Sequence, residues 1–295
     1  MIFYESFHRI FRIPYKLSIV SDTKKGIPVI FLHGIASDSA TWKYVLPLLP
    51  ANYRAITLDL LGFGISAKPK SVSYSINDHT ASVLRTIRSL HLRQPPIIVG
   101  HSMGALIAIH LAKQYPKELK SLVLVSAPLY TVQDIQDAAS SADTKQPVSS
   151  SRGLFYAYHK IISNQSFTLT AARAIARLSP ASNSFILTQD TWQSFRQSLT
   201  NTIMDQTTLS DVRQLQIPAH FLYGKLDILL QQKNYTDLAK EQLPNITITA
   251  LRGAHMITKN GAVSIATAIE AAAQSKNKYH STITTNTKTQ RIQNK

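Results

Sequence analysis

The sequence predicts an α/β fold: a mostly parallel, eight-stranded sheet flanked by helices, with a helical segment inserted between two of its strands. Three observations predict it. Short apolar runs rich in β-branched residues recur along the chain, as strands buried on both faces require. Amphipathic runs at helical spacing separate them, and this alternation favours parallel strands joined by right-handed crossovers. From Leu129 to Gln216 the alternation stops and only helical patterns remain.

Ile2 to Ile13 and Tyr15 to Val20 read as an opening pair of strands. Glu5, His8, Arg9 and Arg12 make the first too polar for a signal-peptide core or a membrane span. Core strands follow at Pro28 to Leu32, Arg54 to Leu58, Ile97 to Val99, Leu122 to Val125, Ala219 to Tyr223 and Ile246 to Ala250. Helical patterns occupy Trp42 to Leu49, Ile76 to Leu90, Met103 to Tyr115, Lys233 to Gln242 and Gly261 to Gln274. Inside the insertion, Ala138 to Ser151 is rich in Ser and Ala and reads as a mobile connection. Phe155 to Tyr158, Ala171 to Leu178 and Trp192 to Met204 read as helices that would roof the loops at one end of the sheet. The predicted division is a core of residues 1–128 and 211–274, a helical cap of 129–210 and a disordered basic tail of 275–295.

The 295 residues are 44% hydrophobic and 16% charged, a balance suited to a globular enzyme with a substantial core. The absence of cysteine excludes a disulfide framework, a thiolate nucleophile and a Cys-based zinc site. The expected location is cytoplasmic. Net charge is +16, from 32 basic and 16 acidic residues. Such an excess suits anionic partners, but no stacked aromatics accompany it, as a single-strand nucleic-acid binder needs. Lys276, Lys278, Lys288, Arg291 and Lys295 sit in the acid-free tail, where weak electrostatic contact with anionic surfaces is the expectation.

The chemistry starts at Gly100-His101-Ser102-Met103-Gly104, between the strand Ile97 to Val99 and a helix. A serine on a sharp strand-to-helix turn stands exposed at the top of a sheet, and flanking glycines permit the strained backbone. A serine hydroxyl needs a base in hydrogen-bond reach, and the base needs an acid to fix its tautomer. On such a scaffold acid and base follow the serine in that order. Asp227 lies just past the strand Ala219 to Tyr223, and His255 follows the strand Ile246 to Ala250. Asp205 and Asp211 precede the acid's strand, and Asp211 reads as a helix cap. His33, His101 and His110 fit structural or supporting roles. Backbone N–H groups of Met103, at a helix N-terminus, and of Ile35, after the strand Pro28 to Leu32, are placed to form an oxyanion hole.

Phe31-Leu32-His33-Gly34, Asp59-Leu60-Leu61-Gly62-Phe63-Gly64-Ile65-Ser66, the Gly100–Gly104 turn, Tyr223-Gly224-Lys225-Leu226-Asp227 and Gly253-Ala254-His255 occur in an order that resembles the α/β-hydrolase fold superfamily, in its esterase, lipase and haloperoxidase-like branch. The resemblance implies Ser102 as nucleophile, Asp227 as acid, His255 as base and the Ile35 and Met103 amides as oxyanion donors. Two departures are mild: Ile228-Leu229-Leu230 lacks the proline many relatives carry after the acid, and Ala254 replaces a glycine before the histidine.

A dinucleotide site at Gly62-Phe63-Gly64 is disfavoured, because Pro69 prevents a helix from opening there. No Walker loop and no His pair at metal-binding spacing is present. The expected activity is therefore hydrolysis of an ester-like bond in a small molecule, with no cofactor and no metal. Two alternatives stand beside it. Carbon–carbon bond hydrolysis of vinylogous diketones uses the same triad, but those relatives typically have Asn where this chain has His101. A non-catalytic ligand-binding protein on the same scaffold is the other, since fold does not imply function.

Overall fold

A computed structural model describes residues 13–139, 150–178 and 186–276, together with Glu5, His8, Ile10 and Phe11. Seven strands form one sheet in the order β1-β3-β2-β4-β5-β6-β7. They are β1 (Ser18–Asp22), β2 (Ile27–Leu32), β3 (Tyr53–Asp59), β4 (Ile97–His101), β5 (Ser121–Val125), β6 (Ala219–Gly224) and β7 (Ile246–Leu251). Only β1 pairs antiparallel, with β3; the other pairings are parallel.

Among the described residues the expected eighth strand is not found. Glu5, His8 and Ile10 are helical, and the single opening strand starts at Ser18. The apolar and basic residues of this stretch can be threaded on either period, and Pro14 ends the helical one. His8 then packs flat on Tyr15, with ring centroids 4.0 Å apart.

The period-2 rule sorts the strand side chains into two cores. Ile30, Leu32, Ile56, Leu58, Ile98, Leu122, Leu124 and Phe221 face one side; Val29, Phe31, Ala55, Val99, Val123, Val125 and Leu222 face the other. The first side is covered by α1 (Ile76–Ser89) and α2 (Met103–Gln114), and the second by α9 (Lys259–Gln274), through Ala262, Ile265, Ile269 and Ala272. Helix α2 is buried on almost every face, which explains its run of Ala, Leu and Ile. The α1 start is set by a capping box, in which Ser75 and Asp78 satisfy each other's backbone N–H. β7 lies at the sheet edge, so Ile246 and Ile248 turn inward while Thr247 and Thr249 face solvent.

Between β5 and β6 the described residues hold helices and no strand: α3 (Val132–Ala139), α4 (Ser151–Ser163), α5 (Gln165–Leu178), α6 (Trp192–Ser198) and α7 (Thr208–Val212). α6 continues into a π-helical turn over Leu199–Met204. This segment is fastened to α1 and the loop before it. His79 Nε2 lies 3.0 Å from Ser198 Oγ, Thr202 Oγ1 donates to the Tyr74 carbonyl at 2.9 Å, and Asn201 Nδ2 donates to the Ser73 carbonyl at 2.6 Å. Of the connection expected at Ala138 to Ser151, residues 138 and 139 close α3 and Ser151 opens α4, while 140–149 and the tail from 277 onward lie outside the described residues. Trp42 to Leu49 is not one helix but two 3₁₀ turns, Ser39–Trp42 and Leu46–Leu48, because Pro47 has no N–H with which to continue a helical ladder. Asp211 is no cap either. It lies inside α7, where its carboxylate accepts from Lys113 Nζ at 2.6 Å.

The strand order fixes where a site can form. From β2 the chain moves to β3 on one side, and from β4 to β5 on the other. The loops leaving β2 and β4 therefore diverge and leave a crevice at the carboxyl ends of the strands, where open α/β sheets bind ligands.

The buried histidines give the fold a pH signature. Burial lowers the pKa of His33 and brings that of His79 from 6.5 down to about 4. The unfolded chain takes up these protons near 6.5 and the folded chain does not, so the unfolded state binds more protons between the two values. Stability is therefore complete above 6.5 and falls as pH drops towards about 4. Thermal melts across that window should show the decline, and His79→Gln, which keeps a hydrogen-bonding group towards Ser198, should flatten it. A pH-independent melting temperature in the wild type would contradict this reading.

Candidate active site

Ser102 sits between the last residue of β4 and the first of α2, with φ 52° and ψ −120°. A non-glycine residue in the positive-φ region costs free energy and persists only where its surroundings enforce it. Here the surroundings are two close backbone approaches. A Cβ on Gly100 would lie 2.5 Å from the Gly104 carbonyl oxygen, and a Cβ on Gly104 would lie 2.3 Å from the Leu32 carbonyl oxygen. Neither space admits a side chain. The strand therefore turns into α2 directly above β2, and Ser102 is held at the apex by its N–H, which donates to the Val125 carbonyl at 2.9 Å.

The structure brings Ser102, Asp227 and His255 together. His255 Nε2 is 3.0 Å from Ser102 Oγ, and His255 Nδ1 is 2.7 Å from Asp227 Oδ2. A carboxylate only accepts, so Nδ1 carries the hydrogen and Nε2 is left free to accept from the serine hydroxyl. Asp227 is 1% exposed, and its second oxygen accepts from the Leu229 N–H at 3.0 Å. The carboxylate is thus fixed at both oxygens.

The rejected carboxylates are engaged elsewhere. Burial works to raise the Asp211 pKa, but hydrogen bonds from His110 and Lys113 hold it below the usual carboxylate value. Asp59, in the motif after β3, accepts from the N–H groups of Ser39 at 2.9 Å and Ile65 at 2.8 Å. Its role is to tie the loop after β2 to its own loop. Gly64, at φ 50°, is where that turn needs the room, since a Cβ there would overlap the Asp59 carboxylate. His33 makes a second tie between the same loops. The Leu60 N–H donates to its Nε2 at 2.9 Å, so Nδ1 carries the hydrogen and donates to the Gly34 carbonyl at 2.7 Å. These ties place Gly34 and Ile35 beside Ser102, on the wall of the same cavity. Met103, the other expected oxyanion donor, opens α2 next to the serine.

A cavity of about 440 Å³ opens onto Ser102 and His255. Ile161 of α4, Phe167, Ala171 and Ala172 of α5, and Phe195, Leu199 and Ile203 of α6 and its π turn form one wall. Ile35, Pro128, Leu229 and Met256 form the other. Among the described residues no Lys, Arg, Asp or Glu lines it. Tyr158 reaches the cavity from α4; its hydroxyl is 3.3 Å from that of Tyr130, which donates to the Leu229 carbonyl at 3.3 Å. Burial pushes the Tyr158 pKa up to about 12, so the pair stays neutral beside the Asp227 carboxylate. Among the described residues no group of three or more His, Cys, Asp or Glu is placed to hold a metal ion, and no helix is long and apolar enough to cross a membrane.

Sequence reasoning did not identify the Tyr130–Tyr158 pair, the π turn or the bond from His101 to the His255 loop. The first two depend on long-range packing. The third had a signal, a polar residue beside the nucleophile where the strand is otherwise apolar.

The chain matches the alpha/beta hydrolase fold family over residues 27–262. It is 36% identical over 123 residues to "Probable lysophospholipase BODYGUARD 2" of Arabidopsis thaliana, a stretch covering 40% of this chain and 26% of that protein. It is 33% identical over 119 residues to 2-(acetamidomethylene)succinate hydrolase of Mesorhizobium japonicum, covering 40% and 42% of the two chains. The chain thus spans about a quarter of the first relative's length and under half of the second's. Among solved structures, bromoperoxidase from Bacillus anthracis superposes with a TM-score of 0.67 at 20% identity, over 88% of this chain and 100% of that one. At that identity the likeness speaks to the fold.

The close approach at Gly104 gives a direct test of how the turn is built. Gly104→Ala must push α2 away from β2, at a cost of about 1–3 kcal/mol or more. Chemical denaturation should show that loss, and unchanged stability would mean that the turn is not held by this contact.

Proposed function

The chain belongs to the α/β-hydrolase family, and on that premise we propose that it is a serine hydrolase that cleaves a carboxylic ester through an acyl-enzyme. The observation that carries the reading is the continuous hydrogen-bond line from Ser102 Oγ through His255 to a buried Asp227, opening on an apolar cavity. Ser102 Oγ attacks the carbonyl carbon while His255 Nε2 takes its proton. The tetrahedral oxyanion is held by the N–H groups of Ile35 and Met103. The carbon–oxygen bond to the alcohol then breaks, and His255 returns the proton to the leaving oxygen. A water molecule repeats the sequence on the acyl-enzyme, with the acid released and Ser102 regenerated. Asp227 keeps Nδ1 protonated and stabilises the imidazolium.

The cavity narrows the substrate. Among the described residues its wall offers apolar surface and no cation, which favours an uncharged, apolar acyl group. The bacterial relative is named for a succinate, a dicarboxylate; its anionic groups would meet no Lys or Arg among the described residues of this wall. The plant relative is named for a lipid with an acyl ester, which this wall suits better.

Turnover of p-nitrophenyl acetate, butyrate, octanoate and dodecanoate tests the reading. The kcat/KM should rise from acetate to octanoate, because added methylenes bury apolar surface worth about 0.8 kcal/mol each when fully enclosed. Ser102→Ala should abolish most of it, and no ester hydrolysis at all would remove the proposal. Asp227→Asn should leave the fold intact and lower kcat by about 10⁴, since it presents the wrong tautomer of His255. Near wild-type kcat in that variant would mean that another group serves as the acid.

A further inference from the structure

His101 precedes Ser102 at the end of β4 and is 3% exposed. Its Nε2 lies 2.9 Å from the backbone carbonyl oxygen of His255. A carbonyl only accepts, so Nε2 carries the hydrogen and donates. Nδ1 is buried with no hydrogen-bond partner. That bare nitrogen faces Gly34, where an added Cβ would come within 3.2 Å of it. The ring is wedged between His255, at 5.1 Å between centroids, and the edge-on Trp42, at 6.5 Å. An imidazole in this slot has one tautomer and one partner.

The partner matters because of where His255 sits. The stretch from Arg252 to Thr258, between β7 and α9, is neither helix nor strand. Arg252, Ala254, Met256 and Thr258 are exposed along it. The Gly253 carbonyl accepts from the Leu226 N–H at 2.9 Å, which ties the loop to the acid's loop. Asp227 fixes the His255 ring but not its backbone. The distance from His255 Nε2 to Ser102 Oγ, 3.0 Å, needs both.

We propose that His101 is a positioning residue for the base: by donating Nε2–H to the His255 carbonyl it ties the base's loop to the nucleophile's own strand and so sets the Nε2–Oγ distance. The inference rests on the serine-hydrolase reading above. It adds a link that the triad alone lacks, since nucleophile and base are then referenced to adjacent residues of one strand. The link needs a hydrogen on Nε2, which the neutral His101 ring supplies only as the Nε2–H tautomer. Burial, reinforced by the neighbouring His255, brings its pKa down to about 3; Asp227 acts in the opposite sense and His33 in the same one.

Three variants of the full chain test the assignment on p-nitrophenyl butyrate. His101→Phe keeps a planar ring and removes the donor; kcat should fall about 10²-fold, the effect of a small misplacement of reacting groups, with little change in KM. His101→Gln and His101→Asn restore an N–H donor, and the better placed of the two should recover at least about tenfold of that loss. A purely structural role would instead make kcat follow melting temperature across the three, with no rescue by a donor. Wild-type kcat in His101→Phe would overturn the proposal, and so would rescue by neither amide. A measurement on the wild type does not depend on any variant folding. Imidazole ¹⁵N shifts should show His101 as the neutral Nε2–H tautomer across the pH range in which the enzyme turns over. An Nδ1–H tautomer would refute it. A wild type inert on every ester would count against the hydrolase reading, whereas an active wild type with an indifferent His101 would count against this inference alone.

Discussion

Everything at the active end of this molecule depends on how closely α2 approaches β2. Gly104 lies against the Leu32 and His33 carbonyls with no room for a methyl group, and Gly100 lies equally close to the first turn of α2. With the helix so near, the backbone between them can pass only through a positive φ, and that value falls on Ser102. The strain is local, but its enforcement is distributed. β4 is paired on both sides, to β2 and β5, and α2 is buried almost all round. A displaced serine would require the centre of the sheet to move.

Around that fixed point the loops are fastened by single polar contacts rather than by secondary structure. Asp59 and His33 join the loops after β2 and β3. Asp227 is held by the Leu229 N–H, and Leu229 in turn accepts from Tyr130. His255 is held at its ring by Asp227 and at its backbone by His101. Most of these groups are buried, where an unpaired polar atom is costly. Each tie therefore resists being broken more than a solvent-exposed one of the same length would. The cavity wall, by contrast, comes from helices docked through side-chain contacts such as His79 with Ser198.

The five central strands, β2 to β6, were legible because burial on both faces leaves a sequence no option but apolar runs, and the edge strand β7 because it alternates. The cluster of Ser102, Asp227 and His255 was legible because each follows a particular strand in a particular order. Where two periods compete, the sequence misleads: the first dozen residues read as a strand, yet Glu5, His8 and Ile10 are helical. Pro47 marked the break that divides Trp42 to Leu49 into two 3₁₀ turns, but the apolar spacing concealed it. The π turn at Leu199–Met204 has the same residue types as an α-helix, and only its packing distinguishes it. Asp211 resembled a cap because caps and buried ion pairs both favour aspartate, and Lys113, its partner, lies on a helix far away in sequence. His101 was assigned a supporting role, but its partner is a backbone carbonyl, which no side-chain pattern reveals.

The central claim is that Ser102 is an activated nucleophile. Reaction with a fluorophosphonate followed by peptide mapping tests it most directly, because the probe reports on serine activation without requiring the natural substrate. The account predicts a single stoichiometric adduct on the peptide carrying Ser102 and none in Ser102→Ala. An adduct on another residue, or undiminished labelling of the alanine variant, would contradict it.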